Sequence, residues 1–249
     1  MYYPTTLKIL YSTLAISLLG FSACKKQEHP PLPDIPRSNI ALINGAHNAP
    51  PLLLSVDGKK IITRGVGSGY HSGKSGSPYL LSNVVVDREL KITDDREKLL
   101  HSGRITLERD QYYTLVSYGE VKDYQLTPFL LRDTVPVLSG SKAGLRLLHL
   151  SPDMPPVQIW LTSGNSRVQV GGILTYVGRL EQQRVFAPFN TTNSGAYTLE
   201  VSTTEAVPRT LITLPNLILT NGKSYTLYIK GLVNGVGAAK LSAGVVSYN

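Results

Sequence analysis

His149, Ser151 and Asp153 stand close together in the run Leu-Arg-Leu-Leu-His-Leu-Ser-Pro-Asp-Met-Pro-Pro-Val-Gln-Ile-Trp-Leu at residues 145–161, and they are the residue types that hydrolases use. Acyl transfer by such a set needs a nucleophile and a base that converge within hydrogen-bond reach, usually from separate elements. The spacing here is that of a strand running into a turn, where the short oxygens of Ser-Pro-Asp hold backbone N–H groups. The expectation is therefore structural. Asp153 locks the turn, and His149, in phase with Leu145 and Leu147, is partly buried at the strand end. The run Gly-Tyr-His-Ser-Gly-Lys-Ser at residues 69–75 suggests a phosphate loop. That loop needs four residues between its glycines; three stand here, and no helical pattern follows. His47, His71 and His101 have no ligand spacing between them, and Asp57, Asp94 and Asp95 lack the alternate-acid pattern of a calcium loop. One cysteine cannot build a Cys-based metal site. No catalytic set, metal or cofactor is expected.

The elements that must position these residues are strands. The 249 residues include 22 glycines and 16 prolines, which punctuate short runs of Tyr, Val, Thr, Ile and Leu. Those residue types favour strands, and helix-period patterns are missing after residue 20. The formal charge of +8 could draw nucleic acid or anionic lipid. The basic residues are scattered, however, with Lys25-Lys26 and Lys59-Lys60 the only adjacent lysine pairs. No nucleic-acid module signature is present, so a solvated surface is expected and nucleic acid is not a partner.

Lys8 is the only charged residue among residues 1–23. The apolar run at 9–20 is too short to span a bilayer comfortably and ends in small residues, which is the anatomy of a cleaved signal. Phe21-Ser22-Ala23-Cys24 resembles the lipobox of bacterial lipoproteins, with Phe21 where leucine is usual. The resemblance implies that residues 1–23 are removed and that Cys24 is lipidated, since two or more acyl chains anchor a protein stably. Lys25-Lys26 stands where an aspartate would imply inner-membrane retention, so the outer membrane is expected, with the leaflet open. Residues 24–37, with prolines at 30, 31, 33 and 36, read as a tether reaching about 40 Å in polyproline II.

The rest of the chain repeats itself. Residues 40–56 lie on 145–161, with Pro50-Pro51 on Pro155-Pro156, Leu42 on Leu147 and Leu54 on Ile159. Leu90-Lys91-Ile92 matches Leu199-Glu200-Val201, Tyr113-Thr-Leu115 matches Tyr225-Thr-Leu227, and Gly119 falls on Gly231. Each copy has about seven short strands, which predicts an all-β chain of two tandem immunoglobulin-like antiparallel β-sandwich domains at 38–138 and 139–249. An up-and-down barrel is the alternative. The link between copies is short, so the domains should touch.

The opening motif of the second copy, Leu-Arg-Leu-Leu-His-Leu-Ser-Pro-Asp-Met-Pro-Pro-Val, resembles that of the bacterial domain of unknown function 4397. Gly195-Ala-Tyr-Thr-Leu-Glu-Val and Asn221-Gly-Lys-Ser-Tyr-Thr-Leu resemble its later strands. The resemblance implies a β-sandwich and an envelope location, with no established activity to carry over. The first copy has Ala41, Asn44 and Asn48 where the second has Arg146, His149 and Asp153. The fold is thus expected to need the hydrophobic phase and the prolines more than these polar residues.

Three aromatic residues are the expected ligand or interface contacts: Trp160, Tyr70 and Tyr79. Trp160 lies on the opposite strand face from Ile159 and Leu161, and Ser55 takes its place in the first copy. It either packs at a domain interface or offers a stacking platform to a sugar or a protein. Tyr70 and Tyr79 flank a Gly/Ser-rich loop at 64–79 that is either a contact surface or a plain loop. Asp133-Thr134-Val135 fits a three-residue O-glycosylation pattern of some Gram-negative exported proteins. The expected function is a non-enzymatic interaction or adhesion module anchored in the outer membrane through Cys24. The alternatives are a glycan-binding accessory of a polysaccharide-uptake system and an envelope scaffold.

Overall fold

The computed structural model describes residues 37–73, 77–82, 87–179 and 187–248. The first half forms β1 (Ser38–Asn44), β2 (Leu52–Val56), β3 (Lys59–Val66), β4 (Leu80–Ser82), β5 (Arg88–Thr93), β6 (Leu99–Ile105), β7 (Tyr112–Lys122) and β8 (Gln125–Arg132). The second half forms β9 (Lys142–His149), β10 (Val157–Ser163), β11 (Ser166–Leu174), β12 (Asn190–Asn193), β13 (Gly195–Thr203), β14 (Thr210–Leu219), β15 (Ser224–Lys230) and β16 (Ser242–Tyr248). Each half folds into a sandwich of two sheets. The orders are β3-β2-β5-β6 over β4-β1-β7-β8, and β11-β10-β13-β14 over β12-β9-β15-β16, so the strand order is the same in both.

The chain is all-β, as its composition predicts, with two refinements. Among the described residues each sandwich has eight strands rather than about seven. The pairing of the named strands is antiparallel except in one place per sandwich, where β1 runs parallel to β7 and β9 parallel to β15. Ile40 lies opposite Tyr113 in one parallel pair and Leu145 opposite Tyr225 in the other, which is the register the sequence repeat requires. Both tyrosines close the same corner. The hydroxyl of Tyr113 accepts the N–H of Glu108 at 2.9 Å, and that of Tyr225 accepts the N–H of Thr220 at 2.9 Å. Such tyrosine corners mark immunoglobulin-like sandwiches.

The two sandwiches share more than an edge. Residues 35–249 make one compact unit. Along β1, Ile40 and Leu42 face the core of the first sandwich, while Ile43 faces a third core between the sandwiches. Along β9, Leu145 and Leu147 face the second sandwich's core, while Leu148 faces the third. Strand alternation thus serves two cores at once. It explains why β1 and β9 are buried almost without interruption, whereas burial alternates along the outer strand β5. The result is four stacked sheets with three buried layers between them. Gly45 is part of the contact: a side chain there would collide with Leu150 and with the carbonyl of Ser117.

Candidate functional site

The Ser-Pro-Asp turn holds backbone, as its spacing predicts, but with different partners. Asp153 accepts the N–H of Val233 on both carboxylate oxygens at 3.1 Å, clasping the turn to the loop between β15 and β16. Ser151 donates to Asp153 at 3.2 Å, and His149 is turned away, with Nε2 on the carbonyl of Pro155 at 3.2 Å. No nucleophile–base pair is assembled there. His149 is wholly buried rather than partly so, and burial lowers its pKa to about 4. The neutral ring therefore donates from Nε2 at ordinary pH, and among the described residues its Nδ1 has no partner.

The first sandwich has other polar residues at these positions, in line with the expectation that the fold needs the hydrophobic phase and the prolines more than these particular side chains, yet it keeps their hydrogen bonds. Asn44, in the place of His149, donates to the carbonyl of Pro50 at 3.1 Å. Asn48, in the place of Asp153, accepts the N–H of Val121 at 2.7 Å. The residues change and the bonds persist.

Arg146 is the exception, because its position faces the third core. The equivalent residue, Ala41, is buried but apolar. The guanidinium of Arg146 donates to Asp133, to Thr226 at 2.9 Å, to Thr114 at 3.2 Å and to Tyr248 at 3.0 Å, and both ionised side chains are fully buried. Phe189 lies 4.7 Å from it on the ring face. Asp133 also accepts from Thr114 at 2.6 Å and from Tyr79 at 2.7 Å. A buried charge needs pairing and hydrogen bonds of this completeness. A lone arginine at an inward position of an apolar strand was the sequence signal for such a partner, although nothing in the sequence named Asp133.

Above this pair opens a cleft of about 530 Å³ at the seam of the two sandwiches. Its floor is Asp133 and the buried Tyr248; its walls include Tyr79, Tyr112, Gln111 and Arg132. Burial and the neighbouring Asp133 push the Tyr79 hydroxyl well above the usual tyrosine range, so it stays a donor. Tyr79 stacks edge-on against Tyr112, with centroids 4.9 Å apart, and Tyr112 remains 47% exposed. Arg132 is held in place by Glu108 at 3.0 Å and Gln111 at 2.9 Å. Thr134 stands exposed at the rim, while the adjacent Asp133 is sealed in its ion pair.

The other expected contacts lie elsewhere. Tyr70 is 70% exposed beside a different groove, lined by Pro51, Ile61, Val66 and Leu80. The described part of its loop is not slack, since residues 69–72 lie along β1: Asn44 donates to the carbonyl of Tyr70 at 3.0 Å and Ser72 to that of Leu42 at 2.8 Å. Trp160 is on the outward face of the second outer sheet, not at a domain interface. Its Nε1 donates to Ser202 at 3.1 Å, and Arg167, paired with Glu200 at 3.0 Å, covers the ring at 4.2 Å. Cys24, with the signal and tether, lies outside the described residues. Tyr112, Tyr248, Gln111 and Arg132 were missed from sequence; the Tyr-Tyr pair at 112–113, with one ring inward and one outward, was the available clue.

Residues 38–160 match the family model of the domain of unknown function DUF4397. The match runs through the whole first sandwich and on to β10, so the motif that carries the resemblance falls in its final part. A carbohydrate-binding module, CBMbc (family CBM26) from Eubacterium rectale Amy13K, solved in complex with maltoheptaose, is similar at 11% identity and a TM-score of 0.24, covering 85% of this chain and 96% of that one. A leucine-rich repeat protein from Bacteroides thetaiotaomicron is similar at 11% identity and a TM-score of 0.20, covering 77% of this chain and 25% of that one. At those scores no functional residue is carried across from either. No curated protein matches the chain.

Proposed function

We propose that this chain is a non-enzymatic binding protein of the cell envelope, lipidated at Cys24 and held at the outer membrane, whose ligand contacts centre on the seam between its sandwiches. In this reading the second sandwich is a further copy of the family domain. One observation carries the binding role: an open cleft with an outward tyrosine is built on a fully satisfied buried ion pair, so its walls are fixed before any ligand arrives. Pre-organisation of that kind serves recognition. Among the narrower roles, the open cleft favours ligand binding over scaffolding alone. The resemblance of Phe21-Ser-Ala-Cys24 to a lipobox supports the address.

Two measurements test the proposal. Metabolic palmitate labelling and membrane fractionation of the full-length protein in a Gram-negative host should show a labelled outer-membrane protein, with label and membrane association both lost in Cys24→Ala. The purified mature chain should show no turnover in a broad hydrolase screen. Turnover abolished by one side-chain change would overturn the non-enzymatic reading.

A further inference from the structure

The chemistry of the cleft narrows its ligand, given that the cleft is the binding site argued above. Among the described residues, every charge in its walls has an opposite partner. Arg132 is paired with Glu108, Asp110 with Arg109, and Asp133 with Arg146. Among the described residues, a phosphate or carboxylate would find each cation of the walls already paired with an acid, and a cationic ligand each acid already paired with a base. A wholly apolar ligand fits poorly too: Val135 adds one exposed apolar side chain, but the rim also carries the amide of Gln111, the guanidinium of Arg132 and the hydroxyl of Thr134.

One ring faces outward. Tyr248 is buried, Tyr79 is half-buried and committed to Asp133, and Tyr112 alone is about half exposed. A proline-rich peptide needs a groove lined by several exposed aromatic residues. A pyranose needs one aromatic face for its C–H bonds and planar polar groups for its hydroxyls. The volume of about 530 Å³ lies within the range of small-ligand sites. Arg132 spends one bond on Glu108 and one on Gln111, which leaves further guanidinium N–H donors in a fixed plane.

We infer that the seam cleft binds a neutral saccharide, with Tyr112 stacking on one sugar ring and Gln111, Arg132 and Thr134 reading its hydroxyls.

The test is calorimetric titration of the intact mature chain with neutral xylo-, manno-, galacto- and cello-oligosaccharides, with oligogalacturonate as the acidic probe and a proline-rich peptide beside them. At least one neutral series should bind. Tyr112→Ala and Arg132→Gln should each weaken it about tenfold or more, the scale of one lost stacking or charged hydrogen-bond contact. Trp160→Phe, on the far outer sheet, should leave it unchanged. Arg132→Gln is a surface change and keeps the test valid if Tyr112→Ala loosens the fold. Binding of none of the neutral series, preference for oligogalacturonate or the peptide, or binding indifferent to both cleft variants overturns the inference. If an envelope protein is instead captured by the wild type and lost in Tyr112→Ala, the saccharide is excluded while the binding role stands. Capture indifferent to Tyr112→Ala removes the cleft as the site.

Discussion

Asn48 and Asp153 hold the same place in the two sandwiches and accept the same backbone bond, from Val121 at 2.7 Å and from Val233 at 3.1 Å. An amide oxygen can stand in for a carboxylate oxygen there because the donor is a neutral N–H that needs an acceptor but no counter-charge. Asp153→Asn should therefore cost less than about 1 kcal/mol, whereas Asp153→Ala, which leaves the Val233 N–H without its acceptor, should cost about 1–3 kcal/mol. Urea denaturation of the three proteins compares them. A large loss in Asp153→Asn would mean that the charge itself matters.

His149 and Asn44 form a second such pair, with a consequence for pH. An unfolded chain protonates a histidine near 6.5, but burial holds the pKa of His149 at about 4 in the native state. Between those values the unfolded chain binds more protons, so stability falls as pH falls from 6.5 towards 4 and the dependence ends below it. The shift contributes up to about 3 kcal/mol. His149→Asn places the residue of the first sandwich there, keeps a donor for Pro155 and removes the titration. Stability measured from pH 7 to 4 should lose this part of its slope in the variant. An unchanged slope would assign it to other groups.

Arg146 and Asp133 predict a different pattern, because both charges are fully buried. Asp133→Ala strands the guanidinium in the seam and should cost about 3–5 kcal/mol. Replacing both partners with apolar residues of similar size, Arg146→Met with Asp133→Leu, should recover most of that loss. Thermal unfolding of the single and double variants decides it. A double variant as unstable as the single would show that Thr114, Thr226 and Tyr79 need the ions for their own hydrogen bonds.

These residues also show what was legible in sequence. Hydrophobic phase survives divergence, so Ile40, Leu42, Leu145 and Leu147 fixed the repeat, and Tyr113 and Tyr225 fixed its register through one corner bond each. Polar roles were hidden because a hydrogen bond can be kept by a different side chain: Asn replaces His at 44, yet reaches the same proline carbonyl. The cleft was hidden for another reason. Tyr79, Tyr112, Arg132 and Tyr248 come together only when one sheet of each sandwich packs face to face, and nothing local in the sequence specifies that meeting. Trp160 stands out in sequence by its strand face and by the Ser55 that replaces it in the first copy, but the ion pair beside it covers its ring.

The shared third core makes a final prediction. Ile43, Val116 and Leu131 of the first sandwich pack with Leu148, Tyr228 and Val246 of the second, and all six are buried. Separating the sandwiches would expose those side chains and the Arg146–Asp133 pair to water, at about 1.5–3 kcal/mol for each large apolar side chain uncovered. Neither sandwich can then unfold without removing a wall of the other's support, so the body should unfold in one transition. Trp160 is the only tryptophan and reports on the second sandwich. A Tyr124→Trp change in a Trp160→Phe background places the reporter on the exposed β7–β8 turn of the first. Fluorescence melts of the two proteins should superimpose after correction for any stability difference seen by circular dichroism. A first sandwich that melts well before the second would mean that the seam contributes less than its buried side chains imply.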